Sequence, residues 1–239
     1  MPDVPTDSPV LLYGILASEA RENAALKAVL NGSGVRDAPL MLLPCGPLAV
    51  LASPLADRSA LRQPDVDTVL AYKETIDAAY EARPLVPLRF GTWAQSPDGA
   101  RTLITERAAA CEKQLDKLAG RVEMGLRVTL EQPVAGSAAE ATDASSGTAY
   151  LQARKEQREQ TQAPLRRACK HYRDALDALV VDTAVHEPGT DDPVASLAFL
   201  VPRPNIEAVE EQAEKMVPDA VNVQVIGPWA PFTFASLSL

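Results

Sequence analysis

Residues 121–131 alternate apolar and polar side chains almost without a fault, with Val122, Met124, Leu126, Val128 and Leu130 on one face and Arg121, Glu123, Arg127, Thr129 and Glu131 on the other. A period of two sustained this long admits a β-strand with one face toward a core and one toward water. Everything after it is read against that strand. Residues 132–147 are small, polar and aperiodic, which predicts a flexible loop. A long helical segment follows over 148–182, with Leu165, Cys169, Tyr172, Leu176 and Leu179 as an apolar stripe. Its first half is charged nearly all round, which fits either a solvated face or a protruding arm, and Pro164 predicts a kink or restart. A short strand over 180–187, a turn over 188–193 and an apolar strand over 195–201 come next. A helix over 205–217, with Ile206, Val209, Ala213 and Met216 inward, leads to a last strand marked by Val221, Val223 and Val225. Strand, helix, strand, strand, helix, strand is the order of a split βαβ, ferredoxin-like sandwich.

The first half is also α+β. Residues 10–16 read as a strand buried on both faces. A helix over 19–30 follows, with Ala25, Val29 and Leu30 inward, stopped by Asn31-Gly32-Ser33-Gly34, where Asn and Gly favour a left-handed cap. Residues 40–43 and 48–51 form a hairpin through Pro44-Cys45-Gly46-Pro47. Asp65 caps a helix running to about Arg83, with Val69, Ile76 and Tyr80 inward. One continuous amphipathic helix is predicted over 98–118, ended by Gly120, with Cys111 as a small core residue.

Between these two long helices lies Pro84-Leu85-Val86-Pro87-Leu88-Arg89-Phe90-Gly91-Thr92-Trp93. Its prolines exclude a helix and require a central strand to begin after Pro87. It reads as a buried strand or extended strut carrying one cation, or as an edge strand whose arginine reaches water. A buried guanidinium needs a partner, and Glu123, on the strand that opens the second half, is the candidate. The expected organisation is a disordered leader over 1–9, an α+β domain over 10–120, and a ferredoxin-like domain over 121–239 with a tail over 227–239. In that tail Trp229, Phe232 and Phe234 either fold back onto a core or form a patch that docks a partner.

Chemistry is scarce. The chain has two histidines, His171 and His186, neither with the spacing of a helical metal site. No GxSxG elbow, Walker motif or dinucleotide fingerprint occurs. The acidic pairs at Asp65 and Asp67, at Asp191 and Asp192, and at Glu207, Glu210 and Glu211 fit capping, turns and a wet helix face. With a net charge of −9 and only 5% aromatic residues, long-range attraction to nucleic acid or anionic lipid is disfavoured. Three scattered cysteines point to a reducing compartment rather than a disulfide framework. No signal-like start or membrane-length apolar run is present, so a soluble cytoplasmic protein without a cofactor is expected.

Several stretches, in order, resemble the GvpF/GvpL family of gas-vesicle proteins. They are Leu12-Tyr13-Gly14-Ile15, Pro87-Leu88-Arg89-Phe90-Gly91-Thr92, Leu118-Ala119-Gly120-Arg121-Val122-Glu123-Met124, Ala149-Tyr150-Leu151, Ala198-Phe199-Leu200-Val201 and Gly227-Pro228-Trp229-Ala230-Pro231-Phe232. The resemblance implies a non-enzymatic accessory protein of gas-vesicle assembly, associated with the vesicles, that contacts the hydrophobic shell protein and other accessory proteins. It also implies two α+β domains, the second a modified ferredoxin-like fold, and it supplies no catalytic residues. Tyr72, where family members often have a histidine, and Pro164 depart from the pattern. The rival from another class is a small-molecule-binding or enzymatic ferredoxin-like protein, which would need a pocket with converging titratable groups. The oligomeric state is not read from these features.

Overall fold

The structure, a computed structural model, describes residues 8–19, 23–131, 147–186 and 194–237, apart from the side chains of residues 60 and 147–161. Most of the predicted leader and of the 132–147 loop, and all of the 188–193 turn, therefore lie outside the described residues. The fold is α+β. Two compact units are formed, one by Met1–Arg121 with Trp229–Leu239, the other by Val122–Pro228. The chain thus enters the second unit after Arg121 and returns to the first at Trp229. The tail, expected in the second domain, belongs from Trp229 onward to the first unit.

In the first unit, β1 (Val10–Ala17) is central and buried, as continuous apolar residues require. It pairs antiparallel with β3 (Leu48–Pro54), which pairs with β2 (Met41–Cys45) across a tight turn at Gly46 and Pro47. On its other side β1 carries two short strands, β4 (Leu85–Pro87) and β5 (Trp93–Ala94). The strand therefore precedes Leu88 rather than following Pro87, and β4 is an edge strand, where a proline's missing N–H is tolerated.

The helices show what periodicity settles and what it leaves open. α1 (Ala24–Leu30) starts at Asn23, whose side chain accepts from Leu26 N at 2.9 Å. Leu26 is its one buried residue, in place of the predicted Ala25, Val29 and Leu30. Asn31 caps it in a right-handed conformation, and the left-handed residues are Arg36 and Asp37. After the single turn α2 (Ser59–Arg62), α3 (Val66–Ala82) begins at Asp65, whose carboxylate accepts from Thr68 N at 2.7 Å. Its buried side chains include Tyr72, Ile76, Ala79 and Tyr80, whereas Val69 is 41% exposed.

The predicted 98–118 helix is two: α4 (Pro97–Thr105), capped by Ser96 Oγ on Gly99 N at 3.1 Å, and α5 (Ala108–Leu118). Arg107 between them is non-helical, yet the apolar spacing runs on from Ile104 to Cys111, so the break leaves no mark in the pattern. Cys111 is fully buried.

The second unit contains β6 (Arg121–Leu130, from Val122 onward), α6 (Gly147–Leu176), β7 (Asp182–His186), β8 (Val194–Pro202), α7 (Ile206–Lys215) and β9 (Val221–Trp229, up to Pro228). The strand order is β7-β8-β6-β9. β6 is internal to this sheet, and Val122 to Leu126 are all buried, so the expected half-exposed strand is covered on both faces over that stretch. α6 continues through Pro164 without the predicted restart. The buried residues Leu165, Cys169, Tyr172 and Leu176 hold it in place, so packing outweighs the lost backbone bond. Tyr172 Oη donates to Ala213 O at 3.2 Å, tying α6 to α7.

Candidate functional site

The Pro84–Trp93 stretch is held by two tyrosines. Between its pairings with β4 and β5, β1 bulges at Tyr13, where the register with β3 passes from Leu12↔Ala52 to Gly14↔Leu51. Residues 88–92 leave the sheet here as a loop. Leu88 N donates to Tyr13 O, and Leu12 N donates to Thr92 O, each at 2.9 Å. Gly91 turns the loop with a φ of 85°, a conformation that favours glycine. At the loop's neck Gly14 lies against Leu85, whose side chain would stand 2.4 Å from any Cβ placed there.

Tyr72 reaches into this loop from α3. Its hydroxyl faces three backbone acceptors, Leu12 O at 2.8 Å, Leu88 O at 3.0 Å and Arg89 O at 3.1 Å. One proton cannot satisfy all three at once, so the bond is shared among them. The ring stacks on Tyr13 at 4.9 Å between centroids and meets Phe90 edge-on at 5.2 Å. Tyr13 Oη in turn accepts from Val35 N at 2.9 Å and lies 3.0 Å from buried Ser53 Oγ. Burial, with the neighbouring Tyr13 second, pushes the Tyr72 phenol well above its usual value; burial also raises Tyr13, against its two hydrogen bonds. Sequence reasoning missed Tyr72 as a core residue. The signal was present in the steps Tyr72, Ile76, Tyr80, each four residues apart on one face of α3.

Arg89 follows buried Leu88 into the turn, and its side chain is exposed. Of the two readings of this segment, the buried guanidinium is not found and the arginine that reaches water beside an edge strand is: apolar burial ends at Leu88, and the turn delivers the next side chain to water. This removes the reason for assigning it Glu123 as partner. Glu123 itself is 9% exposed, in β6 of the second unit.

The tail lies within the first unit. Ala230 N donates to Asp77 Oδ1 at 3.2 Å, and Lys73 Nζ, bonded to Asp77 Oδ2, stands 5.0 Å from the Trp229 ring centroid. Gln114 Nε2 donates to Ser236 Oγ at 3.0 Å. Phe234 is 5% exposed and so folds back into the core, whereas Trp229 and Phe232 are half-buried. Between the tail and the 88–92 loop runs a groove of about 590 Å³. Arg89 and Phe232 both line it, and Trp229, Phe234 and Glu123 do not. Among the described residues Arg89 is its sole charged lining residue.

No group of three or more His, Cys, Asp and Glu side chains among the described residues is placed to hold a metal ion. Nor is any described helix long and apolar enough to cross a membrane. His171 packs edge-on against the adjacent Tyr172 ring.

The chain that adopts this fold is one of a family of gas-vesicle accessory proteins. Residues 9–236 match the family described as gas vesicle synthesis protein GvpL/GvpF, and the chain belongs to it. Gas vesicle protein L of Streptomyces sp. (strain CB03234) is 29% identical over 72% of this chain and 70% of its own length. Gas vesicle protein F of the same strain is 25% identical over 93% and 98%. The crystal structure of GvpF from Anabaena sp. PCC7120 superposes with a TM-score of 0.74 at 19% identity, covering 97% of this chain and 98% of that one. GvpF from Microcystis aeruginosa gives 0.66 at 19%, covering 96% and 100%. At that identity the two structures speak for the fold.

Proposed function

We propose that the protein acts without catalysis in gas-vesicle formation, holding hydrophobic shell subunits and meeting other accessory proteins through its surface, in the cytoplasm and on the vesicles. The observation that carries this is the family match over residues 9–236. A surface feature supports it. Val66, Val69 and Leu70 fall three and four residues apart on α3, are 73%, 41% and 48% exposed, and give the helix an apolar face beside its buried one. We assign that face to a shell subunit. We also infer that the second unit is a modified ferredoxin-like sandwich, because its strand order and its helices after the first and third strands are those of a split βαβ.

Co-purification with a gas-vesicle shell protein tests the reading. Retention at low and moderate salt is expected, and its loss when Val66, Val69 and Leu70 are replaced by Ser, Thr and Gln. Failure of the unaltered protein to retain the shell subunit would overturn it.

A further inference from the structure

The groove in the first unit differs in chemistry from the apolar face of α3. Its walls are the 88–92 loop and residues 232–237, where the backbone is outside regular secondary structure. No acidic side chain lines it among the described residues, in a chain whose acidic residues outnumber its basic ones 32 to 23. Its one cation, Arg89, is exposed, and no ion pair joins it to a described carboxylate of its own unit. The backbone behind that guanidinium is fixed. Arg89 O takes Thr92 Oγ1 at 2.7 Å and Thr92 N at 3.1 Å, and faces Tyr72 Oη. The charge is therefore presented from a braced turn rather than a loose loop. Phe232 and Leu237, both partly exposed, supply apolar surface beside it, and Ser236 supplies a hydroxyl.

We propose that this groove takes an acidic stretch of extended peptide from a partner protein, with a carboxylate held by Arg89 and a neighbouring apolar side chain laid on Phe232 and Leu237. Guanidinium and carboxylate match as planar forks, giving two charge-assisted hydrogen bonds. A bare anion would leave the apolar wall uncovered. A nucleic acid or lipid headgroup surface would meet one cation in a body of net charge −9. The volume falls in the range of sites that enclose a small ligand, and it suits two or three residues of a peptide. The inference goes beyond the shell-binding reading and does not require it, since the two surfaces are separate residues of the first unit.

The test is a titration of the isotope-labelled full chain, followed by amide NMR, with an acetylated and amidated five-residue peptide alternating Leu and Glu. Saturable shifts confined to Thr92, Thr233 and Ser236 and their neighbours are expected. Binding should weaken by about tenfold or more for the same peptide with Gln in place of Glu, and likewise for Arg89→Gln. Ser236→Asp, which brings a negative charge to the groove, should abolish it. Native tryptophan fluorescence of each variant confirms folding. The proposal is overturned by the absence of saturable shifts at millimolar peptide, by equal binding of the Gln peptide, or by unchanged binding in Arg89→Gln. Sodium acetate alone is the remaining arm: shifts at the same residues with equal affinity would make this a small-anion site and dismiss the peptide.

Discussion

Replacing Tyr72 by Phe removes one oxygen and leaves the ring, its stack on Tyr13 and its contact with Phe90 in place. No cavity of consequence forms, so the effect isolates the hydroxyl. Of its three acceptors, Arg89 O keeps two donors from Thr92, and the loss falls on Leu12 O and Leu88 O. One shared hydrogen bond contributes about 0.5–1.5 kcal/mol, and a buried acceptor left without a donor costs about 1–3 kcal/mol. Carbonyls tolerate partial satisfaction better than N–H groups, so about 2 kcal/mol is expected for Tyr72→Phe. Tyr72→Ala should cost about 3–5 kcal/mol more, through the lost ring. The measurement is unfolding in urea followed by tryptophan fluorescence. Both tryptophans, Trp93 and Trp229, belong to the first unit, so the transition reports on that unit without assuming that the whole chain unfolds in one step. At a slope of about 2 kcal/mol per molar urea the midpoint falls by about 1 M. A midpoint within about 0.2 M of the unaltered protein, with the same slope, would refute the role of this hydroxyl in holding the 88–92 loop.

Four further outcomes follow from the same geometry. Above pH 10 an unfolded chain releases phenolic protons that buried Tyr72 and Tyr13 retain, so stability is full below that pH and declines as pH rises past it; Tyr72→Phe should make the decline shallower in an alkaline fluorescence titration. Phe234→Ala should destabilise the first unit by about 3 kcal/mol or more in the urea assay, since that side chain is buried, while an effect under about 0.5 kcal/mol would mean that the tail is a detachable surface feature. Gly125→Ala should lower the thermal midpoint seen by far-ultraviolet circular dichroism, at a cost of about 1–3 kcal/mol, because the new Cβ stands 2.7 Å from Ile226 Cγ1; combining it with Ile226→Ala should cost less than the sum of the two. Cys45, Cys111 and Cys169 are all buried, so Ellman's reagent should find no fast-reacting thiol until denaturant is added, when all three react; a rapid native reaction would place one of them at the surface.

The strands were largely legible because their patterns answer to one local rule. The unbroken apolar run of β1, the alternation of β6 and the strand-helix order of the second half all put the described strands close to where they lie. What escaped depended on partners distant in sequence. Residues 121–131 alternate, yet a sheet that places β6 internally covers Glu123 and Gly125 as well, and nothing local announces a neighbour such as Ile226. The division of α4 from α5 keeps its apolar spacing, so periodicity passes over it. Pro164 is a local warning that packing overrules. At the site, the two prolines excluded a helix, and the segment is a short strand followed by a loop. For Arg89 the sequence left a buried and an exposed reading open, and the buried one failed because apolar neighbours in sequence are not neighbours in space when a turn separates them. Tyr72 was hidden because an aromatic on a helix stripe gives no sign that its hydroxyl answers to the backbone of residues 12, 88 and 89.

The route of the chain out at Arg121 and back at Trp229 makes the second unit an insert within the first. On the ribosome the inner body has all its residues before the outer one does, and the outer core stays open at the place of Phe234 until the final stretch emerges. A fragment cut at residue 121 therefore leaves only the second body whole: the upstream piece lacks its closing segment, and the downstream piece carries that segment with nothing to close. Dissection of this protein calls instead for excising 122–228 and rejoining the ends.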